Sequence, residues 1–201
     1  SESGVEVELH WGFAPRCFHL AVHFEDLLGR AQAVSLMDHS VRTFSPEDFL
    51  EILCLQVMKD CWERRQQLEH LSKVCDIAEH VRAHPSRDWG RIYASLRGQG
   101  LVRIFETAMA LTQGLLQTEL APEVQRRIDA DGATLKRARW MCRSLFTEDD
   151  TASPLENSYL SARLRLRQLR FYLGIRERYR ERIRHLGEIL RPEAPTTMVE
   201  E

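Results

Sequence analysis

No run in this 201-residue chain approaches the ~20 consecutive apolar residues of a transmembrane helix, and the N-terminus lacks signal-peptide character, so no membrane partner is expected. The five cysteines, Cys17, Cys54, Cys61, Cys75 and Cys142, form no C-x-x-C pair and are odd in number. That is the pattern of reduced thiols in a cytoplasm. A formal net charge of −2 predicts no general affinity for nucleic acid or anionic membrane. The histidine pairs His19/His23 and His80/His84 stand at i,i+4 without the Glu of an H-E-x-x-H helix, and they read as helix-surface residues. No Gly-Gly or Gly-Ser turn occurs anywhere. What remains is long enough to bury a real core, with about 70% of the unfolded surface removed from water, as one domain or slightly more.

The most informative stretch is Val5-Glu6-Val7-Glu8-Leu9-His10-Trp11. Strand alternation puts Glu6 and Glu8 on one face and Val5, Val7 and Leu9 on the other. Two carboxylates on one face suit a divalent metal, because Mg2+ takes hard oxygen ligands and leaves further positions to water and phosphate. The alternative is an edge strand with one solvated face.

Beyond it the pattern is helical. Cys17 to Gln32 reads as a helix, and Ala33 to Met37 with Val41 to Phe44 form a hairpin around Asp38-His39-Ser40. Ser45-Pro46-Glu47-Asp48 starts the next helix, with Ser45 capping the open amides and Pro46 at the first helical position, where a missing N–H costs nothing. Its inward stripe is read as Phe49, Ile52, Leu53, Leu55 and Met58, with Lys59 near its end. A helix over 67–83 stops at Pro85, and Asp88-Trp89 opens another, Trp89 docking on the core. Gly98 and Gly100 divide that helix from Leu101 to Gln117, whose Val102, Phe105, Met109, Leu111 and Leu116 form a core stripe. Pro122 begins a shorter helix, and Gly132 separates it from Leu135 to Phe146. From Tyr159 to Pro192 runs a long amphipathic helix with a basic face that includes Arg163, Arg167, Arg176 and Arg180. Such a stripe beside tyrosines can hold nucleic-acid phosphates. Solvation and internal pairing in a near-neutral chain are the favoured reading.

Among the charged residues, Lys59, Lys73 and Asp76 stand out. Lys73 and Asp76 share a face at i,i+3 and suit an intrahelical ion pair worth a few tenths of a kcal/mol. The functional alternative gives Lys59 and Lys73 to nucleotide phosphates as point charges. Cys54, Cys61 and Cys75 read as small buried hydrophobes rather than a zinc site. Asp129-Ala130-Asp131 has the spacing of a metal-binding pair, yet it lies between a helix and Gly132, where Asp is an ordinary turn residue.

An acidic residue followed by Leu9-His10-Trp11, an apolar helix, Ser45 to Asp48, Lys59, Trp62, Cys75-Asp76-Ile77-Ala78 and Asp88-Trp89 form an ordered series. That series resembles the "uncharacterised nucleotidyltransferase" family of bacterial proteins, within the polymerase-beta-like superfamily. The likeness runs from about Val5 to the Arg191-Pro192 segment. It implies an active site with a Gly-rich turn, an Asp-x-Asp pair on one strand and a third carboxylate on a neighbouring strand. Glu8 matches the third position, as catalytic residue and, with Glu6, as metal ligand. Lys59 and Lys73 would contact the nucleotide. The implied fold is predominantly α (α+β): 1–44 a remnant of the catalytic domain with its strand and hairpin, 45–192 helical, 193–201 an exposed tail. The implied reaction moves a nucleoside monophosphate from an NTP, with Mg2+, to an unknown acceptor. Since the Asp-x-Asp pair would lie before Ser1, the chain is expected to be an inactive C-terminal portion of the enzyme. The rival is a non-catalytic helical module that binds a protein or nucleic-acid partner through its Arg-rich helix.

Overall fold

The computed structural model describes residues 24–60, 67–144 and 173–174. Within them the order is α1 (Phe24–Gly29), β1 (Gln32–Leu36), β2 (His39–Thr43), α2 (Pro46–Asp60), α3 (Gln67–Ala83), α4 (Trp89–Gln99), α5 (Val102–Leu116), α6 (Pro122–Ala130) and α7 (Gly132–Ser144). This is the expected predominantly helical α+β fold, with a two-stranded antiparallel sheet near the N-terminus. Among the described residues no helix is long and apolar enough to cross a membrane. The strand at 5–11, Cys17, Cys61, the His19/His23 pair and the Arg-rich helix, apart from Leu173 and Gly174, lie outside the described residues.

Helix α1 ends three residues before the expected Gln32, because Gln32 already pairs with Thr43 in the hairpin. The hairpin turns on Met37 and Asp38, not on 38–40: His39 lies opposite Leu36 and Ser40 opposite Ser35. Met37 (φ 47°) and Asp38 (φ 65°) are both left-handed, the geometry of a two-residue turn whose twist matches that of the strands.

Ser45 starts α2 as anticipated. Its Oγ accepts from the Asp48 amide at 3.1 Å and donates to Asp48 Oδ2 at 2.8 Å. Of the expected stripe of α2, Ile52, Leu55 and Met58 are buried and Leu53 packs partly buried against the core, joined by Leu50, Cys54 and Val57, whereas Phe49 is 41% exposed. Phe49 instead lies edge-on to His80 of α3, with ring centroids 5.3 Å apart. His80 is therefore not a plain surface histidine. Its Nε2 donates to the Pro46 carbonyl at 2.7 Å, its ring meets His84, and buried Arg87 donates to its carbonyl. Desolvation, reinforced by Arg87 and His84, holds the His80 pKa below its usual value despite the Pro46 bond.

Helix α5 is the hub, packed against α2, α3, α4, α6 and α7. Ile104 to Thr112 are buried without interruption, as suits a helix covered on every side. Its threonines bond back one turn, Thr107 to the Arg103 carbonyl at 2.6 Å and Thr112 to that of Ala108 at 2.9 Å. Tyr93 of α4 sits edge-on to Phe105, centroids 5.9 Å apart, and the Arg127 guanidinium of α6 covers its ring at 4.2 Å. Trp89 packs against this core as expected, and Asp88 caps α4 through the Arg91 amide at 2.9 Å. Only Gly100 breaks the chain between α4 and α5, at φ 71°; Gly98 belongs to α4. Of the cysteines, Cys54 is buried as expected, but Cys75 is exposed because it faces away from the α2 and α5 contacts of α3.

Asp129 and Asp131 serve local structure, Asp129 Oδ1 accepting from Gln125 Nε2 at 2.9 Å within α6. Asp131 Oδ1 accepts from the Ala133 amide at 3.0 Å and Oδ2 from Thr134 Oγ1 at 2.7 Å, at the start of α7. Burial opposes ionisation there, but these hydrogen bonds outweigh it and hold the carboxyl below its usual pKa. Asp131→Ala is expected to cost about 1–2 kcal/mol, the ordinary loss of a helix cap. The shift in urea midpoint at unchanged slope measures it.

Candidate functional site

The polar centre of the described residues lies where the N-terminal half of α2 meets α4 and the turn after α1. Position sets its members: Asp48 and Glu51 are three residues apart and share one face of α2, while Ser95 and Gln99 are four apart and share one face of α4. Arg30 reaches in from beyond α1.

Asp48, 4% exposed, receives Arg30 as a two-pronged fork, Nη2 to Oδ1 at 2.7 Å and Nε to Oδ2 at 3.0 Å. The hydrogen bond to Asp48 raises the Arg30 pKa, so this guanidinium stays charged. Glu51 is 8% exposed and has no such cation against it. Its Oε2 accepts from Gln99 Nε2 at 3.0 Å and Ser95 Oγ at 3.3 Å, and that Gln99 amide also donates to Ser95 at 2.7 Å. Burial pushes the Glu51 carboxyl up to about 7, outweighing the two hydrogen bonds that favour its charged form. Two carboxylates one turn apart thus differ: Asp48 is ion-paired, and Glu51 exchanges a proton near neutrality.

Arg30, Ser45, Asp48, Glu51, Arg91 and Ser95 line an open cleft of about 390 Å³. This is within the ~300–1,000 Å³ of small-molecule sites. Beneath it, Glu51 also borders a pocket of about 10 Å³ with Leu27 and Gln99. Among the described residues no group of three or more His, Cys, Asp or Glu is placed to hold a metal ion.

Of the sequence-derived site residues, the described ones, Lys59 and Lys73, are elsewhere. Glu6 and Glu8, with His10 and Trp11, lie outside the described residues. Lys59 stands in the last turn of α2, eight residues beyond Glu51 and so about 12 Å along the axis. The His80–Pro46 bond ties the end of α3 to the start of α2, so the two helices run antiparallel. Lys73, seven residues before His80, is correspondingly about 10 Å down α3 from that tie. Both lysines are half-buried and lie outside the lining of the cleft. Asp76 is exposed. Sequence reading missed Arg30, Asp48 as an ion-pair partner, Glu51, Ser95 and Gln99. The one local signal was the i,i+3 spacing of Asp48 and Glu51 on a helix whose other buried residues are apolar.

Comparison with known proteins places one family on the chain: the model described as uncharacterised nucleotidyltransferase matches residues 1–117. The match takes in Glu6, Glu8, both lysines and every residue of the cleft, and ends with α5. No curated protein and no solved structure matches.

Proposed function

The chain belongs to the uncharacterised nucleotidyltransferase family, and from that premise we propose that the protein transfers a nucleoside monophosphate from an NTP to an acceptor hydroxyl. The acceptor oxygen forms a bond to the α-phosphorus, the bond from that phosphorus to the bridging oxygen breaks, and pyrophosphate leaves while the hydroxyl proton passes to a base. Glu8 is the proposed base or metal-side carboxylate, with Glu6 as the second proposed metal ligand. Their hard oxygens would hold Mg2+, which when bound supplies electrostatic stabilisation to the phosphoryl oxygens. Lys59 and Lys73 are proposed to meet nucleotide phosphates. Their place away from the α2–α4 cleft leaves that cleft to another ligand.

The family match across residues 1–117 carries this reading. The only Asp-x-Asp of residues 1–201, Asp129–Asp131, lies beyond the matched residues, with Asp131 capping α7 and Asp129 bonded to Gln125 within α6. The described residues therefore do not supply the paired aspartates of such a centre, and the test uses the gene's full-length product. Incubated with α-labelled NTPs and Mg2+ or Mn2+, that product is expected to transfer label or release pyrophosphate, and EDTA is expected to stop it. No turnover of any of the four NTPs, with or without candidate acceptors, would move the reading to a nucleotide-binding or partner-binding protein.

A further inference from the structure

We propose that the α2–α4 cleft binds an uncharged ring bearing neighbouring hydroxyls, supplied by a hexose or by the ribose of a nucleoside. The cleft is walled by hydrogen-bonding groups of both kinds. Ser45 and Ser95 offer hydroxyls, Arg91 a guanidinium exposed to solvent, and Glu51 a carboxyl. Both hydrogen bonds to Glu51 fall on Oε2, so among the described residues Oε1 has no protein partner, in a side chain more than nine-tenths buried that lines the cleft. Gln99 Oε1, of the residue that bonds Glu51 Oε2, is buried and unpartnered. A hydroxyl approaching Glu51 Oε1 would give this carboxyl a partner beyond Ser95 and Gln99, which both bond Oε2.

Charge selects against ionic ligands. Glu47 and Asp48 balance Arg30 and Arg91 around the cleft, and Glu51 keeps its proton below about pH 7, so up to neutrality the wall has no excess for a phosphate or an amine to neutralise. A phosphate would meet the carboxylates of Glu47 and Asp48, and an ammonium two guanidiniums, each like-charge approach being unfavourable in a half-enclosed site. With its pKa near 7, Glu51 both donates and accepts around neutrality, matching a hydroxyl that does the same. The remaining lining residues, Ile92 and Ala94, are aliphatic, and Ile92 is fully buried. No aromatic side chain lines the cleft to stack a base. The hydroxylated ring is the part of a ligand this wall recognises.

The test reads binding without NTP or metal, so its outcome is separate from that of label transfer. Methyl glucoside, myo-inositol and adenosine are titrated against the whole chain by saturation-transfer NMR and calorimetry, with glucose 6-phosphate and glucosamine as charged counterparts. Saturable binding is expected for at least one uncharged probe, at least about tenfold tighter than for the charged analogues, a difference of roughly 1.4 kcal/mol. The responding probe separates a hexose from a ribose source. Ala94→Trp fills the cleft from an exposed position on α4 and is expected to abolish the signal. Glu51→Ala is expected to weaken it about tenfold, for the loss of one buried hydrogen-bonding pair. No saturable signal from any uncharged probe, tighter binding of the phosphate or the amine, or binding indifferent to Ala94→Trp in a folded protein would overturn the proposal.

Discussion

Glu8→Gln in the full-length gene product is expected to lower nucleotidyl transfer by roughly a thousandfold while leaving the thermal midpoint unchanged. The magnitude follows from the role proposed. A carboxylate that anchors a catalytic metal or takes the acceptor proton contributes several kcal/mol to transition-state stabilisation, and each ~1.4 kcal/mol is a factor of ten in rate. Glutamine keeps the length and shape of the side chain but loses both the negative charge and the capacity to accept a proton. The change leaves the apolar residues Val5, Val7 and Leu9 of that segment as they are. Glu6→Gln is the internal control: as the second proposed metal ligand it should fall between Glu8→Gln and the parent. Transfer by Glu8→Gln at the parental rate would remove Glu8 from the chemistry. It would leave the family membership intact, since that rests on the match over residues 1–117 and not on one side chain.

What the sequence made legible was local. Ser45 and Pro46 start α2, Asp88 caps α4, Gly100 divides α4 from α5 and Pro122 opens α6, because each device acts within four residues of itself. The family was legible for a related reason: an ordered series of short motifs survives in sequence without any tertiary contact. The cleft was not. Arg30 and Asp48 stand 18 residues apart and Glu51 and Gln99 stand 48 apart, and no periodicity relates such positions. The exposure of Phe49 on α2 escapes the sequence for a subtler reason. Phe49 is as apolar as Leu50, and only the packing of α3 and α5 decides that Leu50 faces the core while Phe49 meets His80 at the edge. Residue type alone buries Cys75, a preference that a helix with an exposed face overrides.

Glu51→Gln is expected to stabilise the protein at pH 8 by up to about 3 kcal/mol and to flatten its stability between pH 4.5 and 7. The folded-state pKa is raised from 4.5 to about 7, so the native state holds this proton over a range in which the unfolded chain has released it. Stability therefore falls as pH rises through that window and levels off above 7, where the buried carboxylate is charged in both states. A shift of this size corresponds to roughly 3 kcal/mol at ~1.4 kcal/mol per unit. The substituted amide would be uncharged at every pH and would still accept from Ser95 and Gln99 through its carbonyl, so the penalty disappears while the hydrogen bonds persist. His80 works in the opposite sense. Its pKa is lowered on folding from 6.5, so its contribution is complete above that value and is lost as pH falls below it. Because His80 is common to both proteins, the difference between their urea-derived stabilities at each pH isolates Glu51. That difference should be largest above pH 7 and vanish below 4.5. Parallel curves, or a variant less stable than the parent at pH 8, would mean that water reaches Glu51 well enough to keep its carboxyl an ordinary one.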